Sequence, residues 1–276
     1  MLKLLFFNQA PYSGVFDHGD STYIELPNGQ NMMIDISTKK SGAVITKQLL
    51  DRGVNTIDYF VASHLHNDHT AGFTALSEHI SVRQILMSGY GTNSVEADRS
   101  FLETARAKQI SVREFRLGDQ LDLGEVELQC LFPPPDIAEA SPDLPYVEQE
   151  LNSNLYSMVF RLSYGEFSVL FAGDIYEATE QQLIQLHGDS LRSTLLKIPH
   201  HGCDTSSSQA LLERVNPRAA VVMCRSCEWP VQRRLSNTDI PVYNPLCDGN
   251  VALETDGKNV RVICDKGSRE FLLSMI

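Results

Sequence analysis

Short apolar runs recur along this chain, each separated from the next by a turn signal or by a stretch with apolar residues at helical spacing. LKLLFF, STYIEL and MMIDI read as strands, with PNG between the last two as a hairpin signal. SGAVITKQLLDRG then predicts a helix, with Ser41 as its N-cap and Gly53 as its stop. TIDYFVAS returns to strand, AGFTALSEH to helix, RQILMSG to strand and SVEADRSFLETARAKQ to helix, before three strands in VREFRL, QLDL and EVELQCLFP. The second half repeats the alternation. LYSMVFRLSYGEFSVLFAGD reads as a hairpin about YGE, IYEATEQQLIQLHG as a helix, STLLKIPHHG as a strand entering a turn, and SSSQALLERVNP as a capped helix. AAVVM, PVYNP, NVALETDG and NVRVICD close the pattern as strands. Strands alternating with helices predict an α/β fold, in which chemistry sits at the carboxyl ends of strands.

At 276 residues the chain exceeds the roughly 150 expected of one domain. No composition break divides it, so a single domain over 1–276 is expected. The one interruption is 133–154, where proline, acid and small polar residues replace apolar periodicity; inside a compact domain this predicts a loop or lid.

The formal net charge of -12 argues against a simple basic-patch nucleic-acid binder, although a metal site could offset it locally. No run of 18 apolar residues occurs, which argues against a membrane span, and the N-terminus reads as a strand and not a secretion signal. Six cysteines in a chain with its own core read as reduced thiols of a cytoplasmic protein. The pair in CRSC, Cys224 and Cys227, lacks the second pair that a zinc ribbon needs.

HLHNDH concentrates His64, His66, Asp68 and His69 directly behind an apolar strand. Neutral imidazole and carboxylate are ready ligands for first-row divalent metals. Alternate side chains of an extended segment project the same way, so His64 and His66 can grip one ion, with Asp68 and His69 reaching a second. Four ligands do not complete two sites, and further candidates stand at other strand ends. Asp174 terminates SVLFAGD, and a carboxylate there can bridge two cations. His200 and His201 follow STLLKIP, with Gly202 permitting close backbone approach. His18, His79 and His187 read as ordinary surface or satisfied histidines.

HLHNDH, AGD and HHG, in this order and spacing, resemble the metallo-β-lactamase superfamily. The resemblance implies an αββα sandwich: two mixed sheets face to face, with helices outside. HGDSTYIEL, MMIDI, NSNLYSMVFRLSYGEFSVLFAGD and LLKIPHHGCDTSS narrow it to the hydrolase domain of ComEC-type DNA-uptake proteins and its free-standing relatives. It implies Asp35 as an aspartate orienting a ligand histidine from behind. The region where many members carry a further histidine is here NSNLYS; Asn152 or Asn154 occupies that neighbourhood, neither a strong metal ligand, and Asn154 is a candidate substrate contact. One or both of His200 and His201 complete the ions, His201 being ranked first.

These features imply a dinuclear metal-dependent hydrolase with two divalent ions, Zn2+ or Mn2+, holding a bridging hydroxide that Asp68, as the catalytic residue, orients. The expected substrate is a phosphodiester, such as single-stranded nucleic acid or a small phosphoester. Arg192, Lys197, Arg225, Arg233 and Arg234 are candidates for a local basic strip. Two alternatives stand beside it: hydrolysis of a carboxylic ester, thioester or lactone, and a metal-bound sensor or scaffold without turnover. No membrane or protein partner is expected.

Overall fold

The computed structural model describes residues 1–9, 19–90, 96–136, 153–224, 226–265 and 271–274. In chain order its first strands are β1 (Leu2–Phe6), β2 (Thr22–Glu25), β3 (Asn31–Ile34), β4 (Thr56–Ala62), β5 (Ser81–Met87) and β6 (Ser111–Glu114). β7 (Gln120–Asp122), β8 (Val126–Phe132), β9 (Val159–Tyr164), β10 (Phe167–Phe171), β11 (Leu195–Lys197), β12 (Ala219–Val221) and β13 (Val242–Tyr243) follow. β14 (Val251–Thr255), β15 (Asn259–Cys264) and β16 (Phe271–Ser274) close the chain. Two sheets result: a nine-stranded one ordered β16-β15-β14-β1-β2-β3-β4-β5-β6, and a seven-stranded one ordered β13-β12-β11-β10-β9-β8-β7. β3 to β6 run parallel in the first, and β10 to β13 in the second, while the other pairings are antiparallel.

Burial explains the layering. Along β1, Leu2, Leu4 and Phe6 face an apolar layer shared with Phe160, Phe167, Val169 and Phe171 of the opposite sheet, while Leu5 faces the other way. The rings of Phe6 and Phe171 lie 6.4 Å apart, those of Phe160 and Phe171 5.1 Å. Every residue of β10 is buried, as a strand covered on both faces requires. Outside the first sheet, α1 (Lys39–Asp51), α3 (Phe73–His79) and α4 (Glu96–Ala107) place Ile45, Leu49, Phe73, Leu76 and Phe101 on Ile57, Phe60 and Ile85. A short helix, α2 (Asn67–Thr70), precedes α3. Outside the second sheet, α5 (Glu177–His187), α6 (Gln209–Val215) and α7 (Trp229–Ser236) contribute Leu183, Leu211, Leu212, Val231 and Leu235. The architecture is the expected αββα sandwich.

Local details differ in part from the expected pattern. The cap of α1 is Thr38, whose side chain accepts from the Ser41 amide, so the helix begins at Lys39 and Ser41 lies buried in its first turn. Helix α7 and strand β16 went unpredicted. In α7 only Val231 and Leu235 are buried, four residues apart, too sparse a signal to read from periodicity. The expected loop or lid at 133–154 falls largely on 137–152, outside the described residues. No helix among the described residues is long and apolar enough to cross a membrane.

The catalytic candidates follow the carboxyl ends of β3, β4, β10 and β11. A hydrogen bond from the Met158 amide to the Ser63 carbonyl, 2.8 Å, ties the two sheets together at this end.

Candidate metal centre

Past β4 the chain bends at Ser63 and His64 and is extended again at His66, whose φ is -91° and ψ 156°; the rings of His64 and His66 stand 4.5 Å apart. Helix α2 then turns the chain, and its first turn carries Asp68 and His69. The amide of Ile36 donates to the His69 carbonyl at 2.7 Å, which docks this turn against the end of β3. Asp35, left-handed with φ 53°, accepts from the Ser63 amide at 2.8 Å and its hydroxyl at 2.6 Å. Its Oδ2 also lies 2.8 Å from His69 Nδ1, a contact that fixes the ring's orientation.

Asp174 follows β10, its amide donating to the Ser157 hydroxyl at 3.1 Å. After β11 the chain turns through Pro199–Gly202, where His200 and His201 are both left-handed, with φ of 47° and 51°. This unusual pair of conformations lets adjacent histidines leave the strand without simply alternating across it. Gly202, φ 81°, is required here: a Cβ on it would lie 2.6 Å from Cys227 Sγ.

Four atoms converge. His201 Nε2 lies 3.0 Å from Asp68 Oδ2 and 3.1 Å from Asp174 Oδ2. His69 Nε2 lies 3.2 Å from Asp174 Oδ2, 3.3 Å from His201 Nε2 and 3.8 Å from Asp68 Oδ2. Ligands about 2.0 Å from a tetrahedral zinc stand roughly 3.3 Å from one another, so this donor set fits one divalent ion. A second buried grouping of potential donor atoms, all within 4.8 Å of one another, has Asp20 in place of Asp68 beside His69, Asp174 and His201.

The electrostatics agree with that fit. Burial opposes charge on His69, yet Asp174, Asp35 and Asp68 around it hold its pKa well above 6.5. Burial likewise opposes charge on His201, and Asp174 and Asp20 outweigh it. Burial would raise the Asp68 carboxyl, but His69 and His201 hold it well below the usual range, and Asp174 behaves alike. The excess of buried carboxylate is what a divalent cation would neutralise.

The other histidine pair is less complete. His64 Nε2 is buried without a hydrogen-bond partner and lies 3.9 Å from Asp174 Oδ2, and His66 flanks it. Burial holds the His64 pKa well below 6.5, leaving a neutral imidazole of the kind metals accept. Asn154 instead turns its amide to the Tyr176 hydroxyl, 2.8 Å away. His200 leaves the cluster: its Nδ1 contacts the Thr205 hydroxyl at 2.7 Å and its ring packs on Tyr176, centroids 5.4 Å apart. Asp35, Asp68, His69, Asp174 and His201 are thus brought together, His64 and His66 adjoin them, and His200 and Asn154 lie to the side. Sequence reasoning missed Asp20 and Tyr176, and assigned Lys197 to a surface strip although its side chain is 3% exposed. The tripeptide HGD was the available signal for Asp20.

Residues 14–226 match the family model of the metallo-beta-lactamase superfamily, and the chain belongs to that superfamily. It is similar to ComE operon protein 3 of Bacillus subtilis, 24% identical over 179 residues, covering 65% of this chain and 21% of the relative. Competence protein ComA of Neisseria gonorrhoeae is 28% identical over 195 residues, covering 70% of this chain and 24% of the relative. The chain therefore spans about a quarter or less of the length of these relatives. Among solved structures it shares the fold of Tm1679, described as a metal-dependent hydrolase of the beta-lactamase superfamily. That likeness has a TM-score of 0.60 at 12% identity and covers 92% of this chain and 99% of the other.

Proposed function

We propose that the protein is a metal-dependent phosphodiesterase, nuclease-like in the bond it cleaves. The convergence of Asp68, His69, Asp174 and His201 donor atoms carries the hydrolase part of this reading. The phosphodiester part rests on the resemblance of HGDSTYIEL, NSNLYSMVFRLSYGEFSVLFAGD and LLKIPHHGCDTSS to the hydrolase domain of ComEC-type DNA-uptake proteins. Asp68, His69, Asp174 and His201 would hold one ion, and His64 and His66, with Asp174 shared, a second, with Zn2+ or Mn2+ as the expected metals. Bound divalent ions supply a lowered pKa for water and charge stabilisation for a phosphoryl oxygen.

The chain's own groups divide the remaining work. Asp68 is the most solvent-accessible member of the converging set, at 19% exposed, and its ionised carboxylate can accept a hydrogen bond from the attacking water and orient it. Asp174 and the ring of His69 stay buried and fixed by Ser157 and Asp35. Asn154 and Tyr176, hydrogen-bonded to each other beside His200, are candidates for contact with substrate. The buried thiols Cys130, Cys224 and Cys264 suit the cytoplasmic location expected from the sequence.

Cleavage of bis(p-nitrophenyl) phosphate with added zinc or manganese tests the reading. His66→Ala and Asp174→Ala should each lose at least 100-fold in rate, on the order of what removing direct electrostatic stabilisation costs. Undiminished activity in both would sink it. A parallel panel of carboxylic ester, thioester and lactone separates the same chemistry on a different bond. The sparse His64 and His66 pair favours one further reading, a metal-holding sensor without turnover. Fewer than one tightly held equivalent of metal and no hydrolysis on any substrate would decide for it.

A further inference from the structure

Two histidine rings present Nε2 to the converging donors, and each has an aspartate at its other nitrogen. Asp35 stands behind His69, and Asp20 behind His201, with Oδ1 3.3 Å from His201 Nδ1. Asp20 Oδ2 also lies 3.9 Å from His69 Nδ1, so both of its oxygens face the backs of the rings. Although Asp20 belongs to the compact cluster of potential donors, this places it behind the ligand set. Its backbone is pinned there: its amide donates to the Asp68 carbonyl at 3.1 Å and its carbonyl accepts from the Ser37 amide at 2.9 Å. Asp20 Oδ1 is buried without a hydrogen-bond partner among the described residues. A ring bound through Nε2 carries its proton on Nδ1, the donor this oxygen lacks.

Lys197 completes the arrangement. It is the last residue of β11, its side chain is 3% exposed, and its ammonium pairs with Asp20 Oδ2. The same ammonium lies 3.7 Å from Asp174 Oδ1, on the far side of that carboxylate from the histidines that approach Oδ2. A cation fixed at Oδ1 leaves Oδ2 alone turned toward both histidine pairs.

We infer that Asp20 is a positioning residue for His201, and that Lys197 clamps Asp20 while reserving a single oxygen of Asp174 for metal. The inference rests on the metal-centre reading and is independent of which bond is cleaved.

Its test reads metal binding, not turnover, in the full chain. Zinc affinity is measured by chelator competition, and coordination by the visible absorption of the Co2+ form. Asp20→Asn keeps the shape and removes the charge; it should weaken zinc by about 10- to 100-fold while the number of ions bound at saturation stays that of the wild type. Asp20→Leu should lose more; if it fails to fold, the isosteric variant carries the test. In Lys197→Met, Asp174 becomes free to give both oxygens, and the Co2+ absorption should weaken as the coordination number rises. Wild-type zinc affinity in Asp20→Asn overturns the positioning role. Loss of one bound ion in it overturns the role too, because Asp20 would then be a ligand. An unchanged Co2+ spectrum in Lys197→Met overturns the clamp. Wild-type protein that takes up no metal would remove the metal centre and this inference together, whereas metal uptake without phosphodiesterase activity leaves the inference standing.

Discussion

Carboxylates around His69 and His201 favour the protonated imidazole in the metal-free protein. Both imidazoles have pKa values raised well above 6.5 by surrounding carboxylates, despite burial that acts the other way. A raised folded pKa stabilises the metal-free protein fully below the unfolded value, and that contribution is lost as pH rises through the folded value. The melting temperature of chelator-treated protein should therefore fall from neutral into the alkaline range. Metal affinity should rise over the same window, since each ion entering at lower pH must displace those protons. Thermal melts and chelator titrations at stepped pH check both, and a metal-free melting temperature that rises with pH would contradict the assignment. Asp68 and Asp174 give the opposite wing: their depressed values stabilise the fold above the usual carboxylate range and lose that contribution in acid.

Between elements, the site depends on contacts too close for any side chain. Gly42 of α1 meets Gly72, just after the HLHNDH turn, where a Cβ on Gly42 would lie 2.3 Å from Gly72 Cα. A Cβ on Gly72 would lie 2.3 Å from the Ile36 carbonyl oxygen, which is backbone and has little room to yield. Gly72→Ala should therefore cost about 1–3 kcal/mol or more, as overpacking does, and weaken metal binding by shifting α2. Urea unfolding with and without zinc measures both effects; a variant as stable as the wild type would show the contact to be soft. On the other sheet, Glu180 of α5 accepts the amides of Ser207 at 2.5 Å and Ser208 at 2.9 Å. This fixes the segment following the histidine turn, and Ser208 in turn caps α6. The helices thus hold the HLHNDH and HHG turns as well as covering the sheets.

For the whole molecule, the donor groups come from both sheets, so bound metal should behave as a cross-link between the halves. Zinc present at 100 times its dissociation constant should add about 2.7 kcal/mol to the stability, and a chelator should reverse it. Calorimetry across a zinc series checks this, with no shift in melting temperature as the contrary result. The strand ends and the motifs HLHNDH, AGD and HHG were legible because strand periodicity and clustered histidines are local properties of a sequence. Local pattern ranked His201 above His200 but left both as candidates, since they are neighbours of one chemistry; the turn through two consecutive left-handed residues brings only His201 to Asp68 and Asp174. Nor could it pair Asp20 with Lys197, which are remote in sequence and individually resemble a turn acid and a surface base. Folding the two sheets together buries both charges, and a buried charge requires a partner. The sequence by itself determined which strand ends carry metal-binding chemistry. The tertiary structure alone decided which side chains meet, because that depends on how the sheets and turns bring distant strand ends into one buried, low-dielectric space.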